Sequence, residues 1–299
     1  MSIRFDGKVA LITGAGAGLG RAHALAFAAR GAKVVINDFG GSRDGTGSST
    51  SAAQAVVDEI RKAGGSAIAN GANVADPAQV QAMVEQAMAE FGRIDILVNN
   101  AGILRDKSFS KSQPEDFKLV LDVHLMGSIN CSKAVWDIMR AQEYGRIMMT
   151  TSAAGLYGNF GQANYAAAKM ALVGLMNVLA VEGRKNNIKV NTLAPVAATR
   201  MTEDVLPAEA LQRIQPERVT PGVLYLCSEE APTKVILAAG GGTFSTATIM
   251  ETAPVHIADE ALTPEGIAAR FGQIADWSTA RQYAEVTQQV QQFLAPAVQ

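Results

Sequence analysis

Two side chains able to exchange a proton stand four residues apart in the stretch "NYAAAK": the phenol of Tyr165 and the ammonium of Lys169. On a helix, positions i and i+4 share one face. A cation at that distance favours phenolate and draws a pKa ordinarily near 10 toward the neutral range, which is what a general base needs. Ala166, Ala167 and Ala168 lie between them, so the helix surface is low enough for a flat cofactor to rest on it. Ser152 closes the run "GRIMMTTS", thirteen residues before the tyrosine. A hydroxyl there, at the carboxyl edge of a sheet, can donate to the same substrate oxygen that Tyr165 touches. Each feature has an ordinary explanation, an exposed helical pair and a helix-capping serine. Their coincidence with a nucleotide-binding turn favours chemistry.

That turn reads "TGAGAGLG", with glycines at 14, 16, 18 and 20. Backbone N–H groups and a helix N-terminus can face a pyrophosphate there with no Cβ in the way. The spacing G-x-G-x-x-G is not met, because its third glycine would fall on Leu19 or Arg21; T-G-x-x-x-G-x-G fits, making Gly14, Gly18, Leu19 and Gly20 the expected phosphate-side positions. Asp38 ends the next apolar run, 18 residues beyond Gly20. A carboxylate at that point accepts hydrogen bonds from the adenine ribose and repels a 2′-phosphate, so NAD is expected over NADP. Ala17 and Phe39 supply no cation for such a phosphate, although Arg43 in the following loop could soften the preference.

The elements that must position these groups follow from periodicity. "KVALITG" (8–14), "KVVIND" (33–38), "RIDILVNN" (93–100), "GRIMMTTS" (145–152) and "IKVNTLAP" (188–195) are short apolar runs of the kind buried on both faces of a parallel sheet. A further strand is expected near "SAIANGANV", and helices over 21–32, 49–63, 78–91, 115–142 and 162–184. Regular alternation predicts an α/β fold, a Rossmann-like doubly wound parallel sheet with helices on both faces and ligands at the carboxyl ends of the strands. The stretch 39–50 reads as a flexible surface loop and the polar stretch 199–217 as a mobile cover over a site. The alternation fades after about 243, leaving a mixed tail with a helix near 279–294. We therefore expect a single domain, with residues 1–245 forming the sheet and 246–299 a C-terminal extension on or near it.

Composition narrows the function. Of 299 residues 48% are apolar and 18% charged, enough for a large core, and a net charge of −2 leaves no basic stripe for nucleic acid or an anionic membrane. No apolar run approaches the roughly 18 residues of a spanning helix. The N-terminal residues are expected to enter a strand directly rather than form a signal peptide, and Ala297, Val298 and Gln299 are not expected to serve as a peroxisomal address. Cys131 and Cys227 are too few and too far apart for a disulfide framework, and His23, His124 and His256 show no metal-ligand spacing, so no metal and a cytoplasmic setting are expected.

"TGAGAGLG", "NNAG" at 99–102, Ser152 and "YAAAK" at 165–169 resemble the short-chain dehydrogenases/reductases over about residues 5–245. The resemblance implies a Rossmann fold, a nicotinamide cofactor and hydride transfer at a carbinol or carbonyl carbon. Tyr165 would be the acid/base, Lys169 its electrostatic partner and a ligand of the nicotinamide ribose, and Ser152 the oxyanion donor. By the same resemblance Asn73, Val74 and Asn100 line the adenosine side, and Pro195 to Thr199 pass beside the nicotinamide. Two positions depart from the pattern. "VHLMG" puts His124 where the family has Asn, whose backbone carbonyl holds a relay water, and Pro195–Val196 stands for Pro-Gly. The stretches "GILRDKSFSK", "YGRIMMTTSAAGLYGNFGQANYAAAK" and "LTPEGIAARFGQIADWS" further resemble the (3R)-hydroxyacyl-CoA dehydrogenase part of the type 2 multifunctional enzymes within that family. This implies a (3R)-hydroxyacyl-CoA substrate. Dehydrogenases of steroids or other bulky secondary alcohols share every residue named, and a nucleotide-sensing binding protein without turnover would need no such triad. The apolar surface of the helices expected over 115–142 and 162–184 suits a homodimer or homotetramer, which family members generally form through these helices.

Overall fold

The computed structural model describes residues 2–198 and 207–294. Strands β1 (Val9–Thr13), β2 (Lys33–Asn37), β3 (Ser66–Asn70), β4 (Ile96–Asn99), β5 (Gly145–Thr150), β6 (Ile188–Val196), β7 (Ile236–Gly240) and β8 (Thr243–Ala247) form one sheet in the order β3-β2-β1-β4-β5-β6-β7-β8. From β3 to β7 neighbouring strands are parallel, with Thr13 opposite Asn37 and Ile12 opposite Val98. Every residue of β1, β4 and β5 is buried, the consequence of helices covering both faces. β1 pairs with β2 on one side and β4 on the other, so the strand order reverses there and a crevice opens beyond their carboxyl ends.

Helices alternate with the strands: α1 (Gly18–Ala29), α2 (Ser51–Lys62), α3 (Pro77–Phe91), α4 (Pro114–Leu121), α5 (Gly127–Ala141), α6 (Ala153–Tyr157), α7 (Ala163–Glu182), α8 (Ala208–Arg213) and α9 (Thr220–Leu226). Local signals set their ends. Asp76 caps α3 by accepting from the N–H groups of Ala78 and Gln79, Pro77 opens the helix, and Gly92 closes it at φ 75°. The continuous helix expected over 115–142 is instead α4 and α5 joined by a π-helical turn, Asp122–Met126. No local mark in the sequence signals the change, since residues 122–126 hold neither glycine nor proline.

Helix α7 also corrects the expectation about apolar length. Its 20 residues and mean hydropathy of 1.3 would suffice to cross a membrane by length and composition. It nevertheless buries Asn164, Ala168, Lys169, Leu172, Val173, Met176 and Ala180 against the sheet and its neighbours, as a core helix does.

The chain divides into two compact units, Met1–Thr246 and Ala247–Gln299. Within the second, Thr263 caps α10 (Pro264–Ile274), and α11 (Val286–Leu294) follows. The helix expected near 279–294 thus begins later, and α10 was not anticipated; its Gly266 and Gly272 weaken the pattern. Glu251 and Arg281 form an antiparallel bridge, and Gln289 Nε2 donates to Glu251 at 2.6 Å.

At the amino end of β5, opposite the crevice, Arg146 is 1% exposed. Its guanidinium donates to the carbonyls of Ser228 (2.7 Å), Gly145 (2.8 Å) and Asn187 (2.8 Å) and stacks on Tyr144. Arg146→Met strands those carbonyls in the interior. It should lower the unfolding free energy in urea by about 3 kcal/mol while leaving nucleotide affinity unchanged.

Candidate active site

The glycine turn is built by exclusion. Gly14 has φ 62°, and a Cβ on it would lie 2.8 Å from Ala101 Cα; one on Gly20 would collide with the carbonyl oxygen of Gly14 and the Asn100 amide. Asn100 Nδ2 donates to the carbonyls of Thr13 (2.9 Å) and Gly14 (3.0 Å), while Thr13 Oγ1 accepts from the N–H groups of Asn100 and Ala101. The turn and the end of β4 are thereby one unit. Helix α1 starts behind Ala17 with no side-chain cap and no acidic residue in its first turn, so its N-terminus keeps unpaired N–H groups for an anion. These features fit a dinucleotide pyrophosphate.

Asp38 accepts from Gly16 N–H through Oδ2 and Gly40 N–H through Oδ1, both at 2.7 Å. The carboxylate is held at the end of β2 and faces the cleft. Gly14, Gly18, Leu19, Asp38, Asn73, Val74, Asn100, Ser152, Tyr165, Lys169 and Pro195 all line one cleft of about 680 Å³. Thr199 lies outside the described residues, as does part of the expected cover over 199–217. Val196 does not line the cleft; its side chain instead fills the space a Cβ on Gly240 would need.

Residues 39–50 are not the free loop expected from their composition. Leu104 N–H donates to Arg43 C=O at 3.0 Å, Arg105 Nε donates to Asp44 C=O at 2.8 Å, and Gly45 packs on Ile103. The segment therefore straps the Asp38 side of the cleft to the 103–111 loop. Glycine and serine content reports conformational freedom in the chain, not the partners that remove it. Similarly unforeseen were Asn164, which donates to Arg105 C=O, and Gln162, which donates to Asp106 Oδ2 at 2.7 Å. Both tie the loop before Tyr165 to the same wall, and both sit in the stretch already singled out.

Ser152 caps α6, its Oγ accepting from Ala154 N–H at 3.1 Å, and it lines the same cleft as Tyr165. Gly155 lets α6 approach the backbone of α7, since a Cβ there would lie 2.9 Å from Met170 N. Lys169 is 3% exposed and donates from Nζ to Thr150 C=O at 2.5 Å, while Thr151 Oγ1 donates to Lys169 C=O at 2.6 Å. Its Nζ stands 5.5 Å from the centre of the Tyr165 ring. The three groups meet, but the electrostatics differ from expectation. Burial pushes the Tyr165 phenol up, the nearby Ser152 hydroxyl pulls it back, and the charge of Asp106 pushes it up again. Burial brings Lys169 down to about 7, which works against the cation expected to acidify the phenol.

His124 lies buried behind the tyrosine, and its carbonyl accepts from Ser128 Oγ at 2.7 Å. One lone pair of the expected relay carbonyl is therefore occupied.

Gly20→Ala should weaken dinucleotide binding by more than about tenfold, some 1.4 kcal/mol, read by calorimetric titration. Lys169 titrates near 7 folded and near 10.5 unfolded, so across that window the unfolded chain binds more protons and stability rises with pH. Lys169→Met should thus be the more stable protein below about pH 7, with the gap closing toward alkaline pH in denaturant titrations.

The short chain dehydrogenase family profile matches residues 8–210. Peroxisomal multifunctional enzyme A of Dictyostelium discoideum is 48% identical over 99% of this chain and 66% of its own length. The structure of full-length peroxisomal multifunctional enzyme type 2 from Drosophila melanogaster superposes with TM-score 0.83 at 38% identity, covering 98% of this chain and 49% of that one. The chain thus spans about two thirds and one half of these relatives. A 7α-hydroxysteroid dehydrogenase, solved with NADH and 7-oxoglycochenodeoxycholic acid, superposes with TM-score 0.72 at 33% identity over 80% of this chain and 95% of its own. With its Rossmann-like sheet, glycine turn and Ser–Tyr–Lys cluster, the chain belongs to the short-chain dehydrogenases, oxidoreductases acting on CH–OH groups.

Proposed function

We propose that the chain oxidises the C3 hydroxyl of a (3R)-hydroxyacyl-CoA to the 3-ketoacyl-CoA with NAD. The observation that carries the reaction is the meeting of Ser152, Tyr165 and Lys169 in the cleft that the glycine turn and Asp38 also line. The substrate rests on the likeness of the whole chain to the multifunctional enzymes, and on an apolar wall of Ile103, Leu104, Leu119, Val123 and Phe160 suited to an acyl chain.

Oxidised nicotinamide, when bound, supplies the hydride acceptor and a fixed positive charge beside the phenol. Tyr165 removes the hydroxyl proton as general base, and Ser152 donates to the developing alkoxide. Lys169 would donate to the nicotinamide ribose and, where protonated, stabilise the phenolate. A second reading, a bulky secondary alcohol such as a steroid, is favoured by the hydroxysteroid dehydrogenase neighbour. The two free, buried cysteines suit a reducing compartment, the cytoplasm. Val178 and Val181, exposed on α7, suit a homodimer or homotetramer, which a light-scattering mass would test.

Three measurements test the reading. A ladder of 3-hydroxyacyl-CoA esters in both C3 configurations, followed by NADH absorbance beside a 7α-hydroxysteroid, should show turnover of the 3R series alone. Tyr165→Phe should reduce kcat by more than about a thousandfold while NAD still binds. Asp38→Ala, which removes the carboxylate at the end of β2, should lower the NAD-over-NADP ratio of kcat/KM by about tenfold or more.

A further inference from the structure

The π-helical turn Asp122–Met126 carries His124, 1% exposed, and one extra residue in a helix changes which side chain faces inward. The imidazole has three neighbours. Nε2 lies 3.0 Å from Ile103 N and 2.8 Å from Ile103 O. The ring stands edge-on to the Tyr165 ring, centroids 5.2 Å apart and planes at 90°. It also occupies the space that a Cβ on Gly102 would need.

Among the described residues Nδ1 is buried without a hydrogen-bond partner. A neutral imidazole nitrogen donates or accepts but does not do both, so Nε2 bonds the carbonyl or the N–H of Ile103 in turn, and Nδ1 is unpaired in either tautomer. An orphaned buried polar atom is destabilising, so stability alone favours an apolar residue here. A phenyl ring would keep the contact with Tyr165 and lose the bond to Ile103. A small amide would lose the ring contact. Only an imidazole of this size makes both. Burial, with the charge of Lys169, holds it neutral, so the ring adds no cation beside the phenol.

Resting on the dehydrogenase reading, we infer that His124 is a positioning residue for Tyr165. One side chain fixes the plane of the phenol and pins Ile103, where the 103–111 loop begins, so the proton-accepting oxygen and the substrate wall keep one spacing. Ile103 lines the cleft, as do Tyr165 and His124 itself.

The test compares wild type, His124→Ala, His124→Phe and Tyr165→Phe by steady-state kinetics on the 3-hydroxyacyl-CoA ladder, with sites counted by nucleotide titration and melting temperatures recorded. In His124→Ala, kcat per site should fall by more than about tenfold while NAD affinity changes by less than about twofold. The phenyl variant should recover most of kcat yet retain a raised KM for the alcohol, because the Ile103 bond is gone. A His124→Ala enzyme within about twofold of wild-type kcat, whatever its melting temperature, overturns the inference. So does a phenyl variant with kcat unrecovered or with an unchanged KM, and that variant alone decides should the alanine protein fail to fold. Turnover by Tyr165→Phe would reject the underlying reaction instead; a dead Tyr165→Phe beside an unimpaired His124→Ala rejects only the positioning role.

Discussion

The chemical end of the cleft hangs from a reciprocal pair of bonds between one strand end and one helix. Lys169 Nζ donates to Thr150 C=O, and Thr151 Oγ1 donates to Lys169 C=O. Because the two bonds run in opposite directions across adjacent residues, α7 can neither slide along β5 nor rotate about its own axis without breaking one of them. The position of Tyr165, one helical turn before Lys169, follows from that docking, and Ser152 follows from the course of the chain immediately after β5. The arrangement has an electrostatic cost. An ammonium enclosed this far is discouraged from carrying its charge, and the phenol beside it is discouraged from losing its proton. Burial thus works against the charged form of both groups, and acidification of the phenol needs a compensating positive charge.

The nucleotide end solves a different problem, the close approach of backbone to backbone. Gly14 and Gly20 are excluded from carrying side chains by the carbonyl and amide atoms around them, and Asn100 ties the turn to β4. Asp38 is anchored by two N–H groups before any ligand arrives. An anchored carboxylate loses little freedom when it accepts a further hydrogen bond. The 39–50 strap links this end to the 103–111 loop, so one continuous wall runs from the Asp38 side toward Tyr165.

Periodicity and residue type carried far in this chain because parallel strands buried on both faces are unambiguous apolar runs, and because catalysis by proton transfer demands particular residues at particular spacing. Tyr165, Lys169, Ser152, the glycine turn and Asp38 are all short-range patterns of that sort. The π turn at 122–126, the strap over 39–50 and the partners of Asn164 and Gln162 are not. Each depends on groups distant in sequence, or on a one-residue change of helical phase that no glycine or proline marks.

Residue order alone thus specified the parallel sheet, its nucleotide turn and the identity of the groups that can move a proton, since those depend on local spacing and on which side chains carry which chemistry. Three-dimensional packing decided the surroundings of those groups: the burial that lowers Lys169 and raises the phenol of Tyr165, and the imidazole standing against it. The physical reason is that burial and the direction of a hydrogen bond are properties of everything surrounding a group. Most of what surrounds these lies some tens to hundreds of positions away along the chain, as Ile103 does from Tyr165 and Thr13 from Asn100.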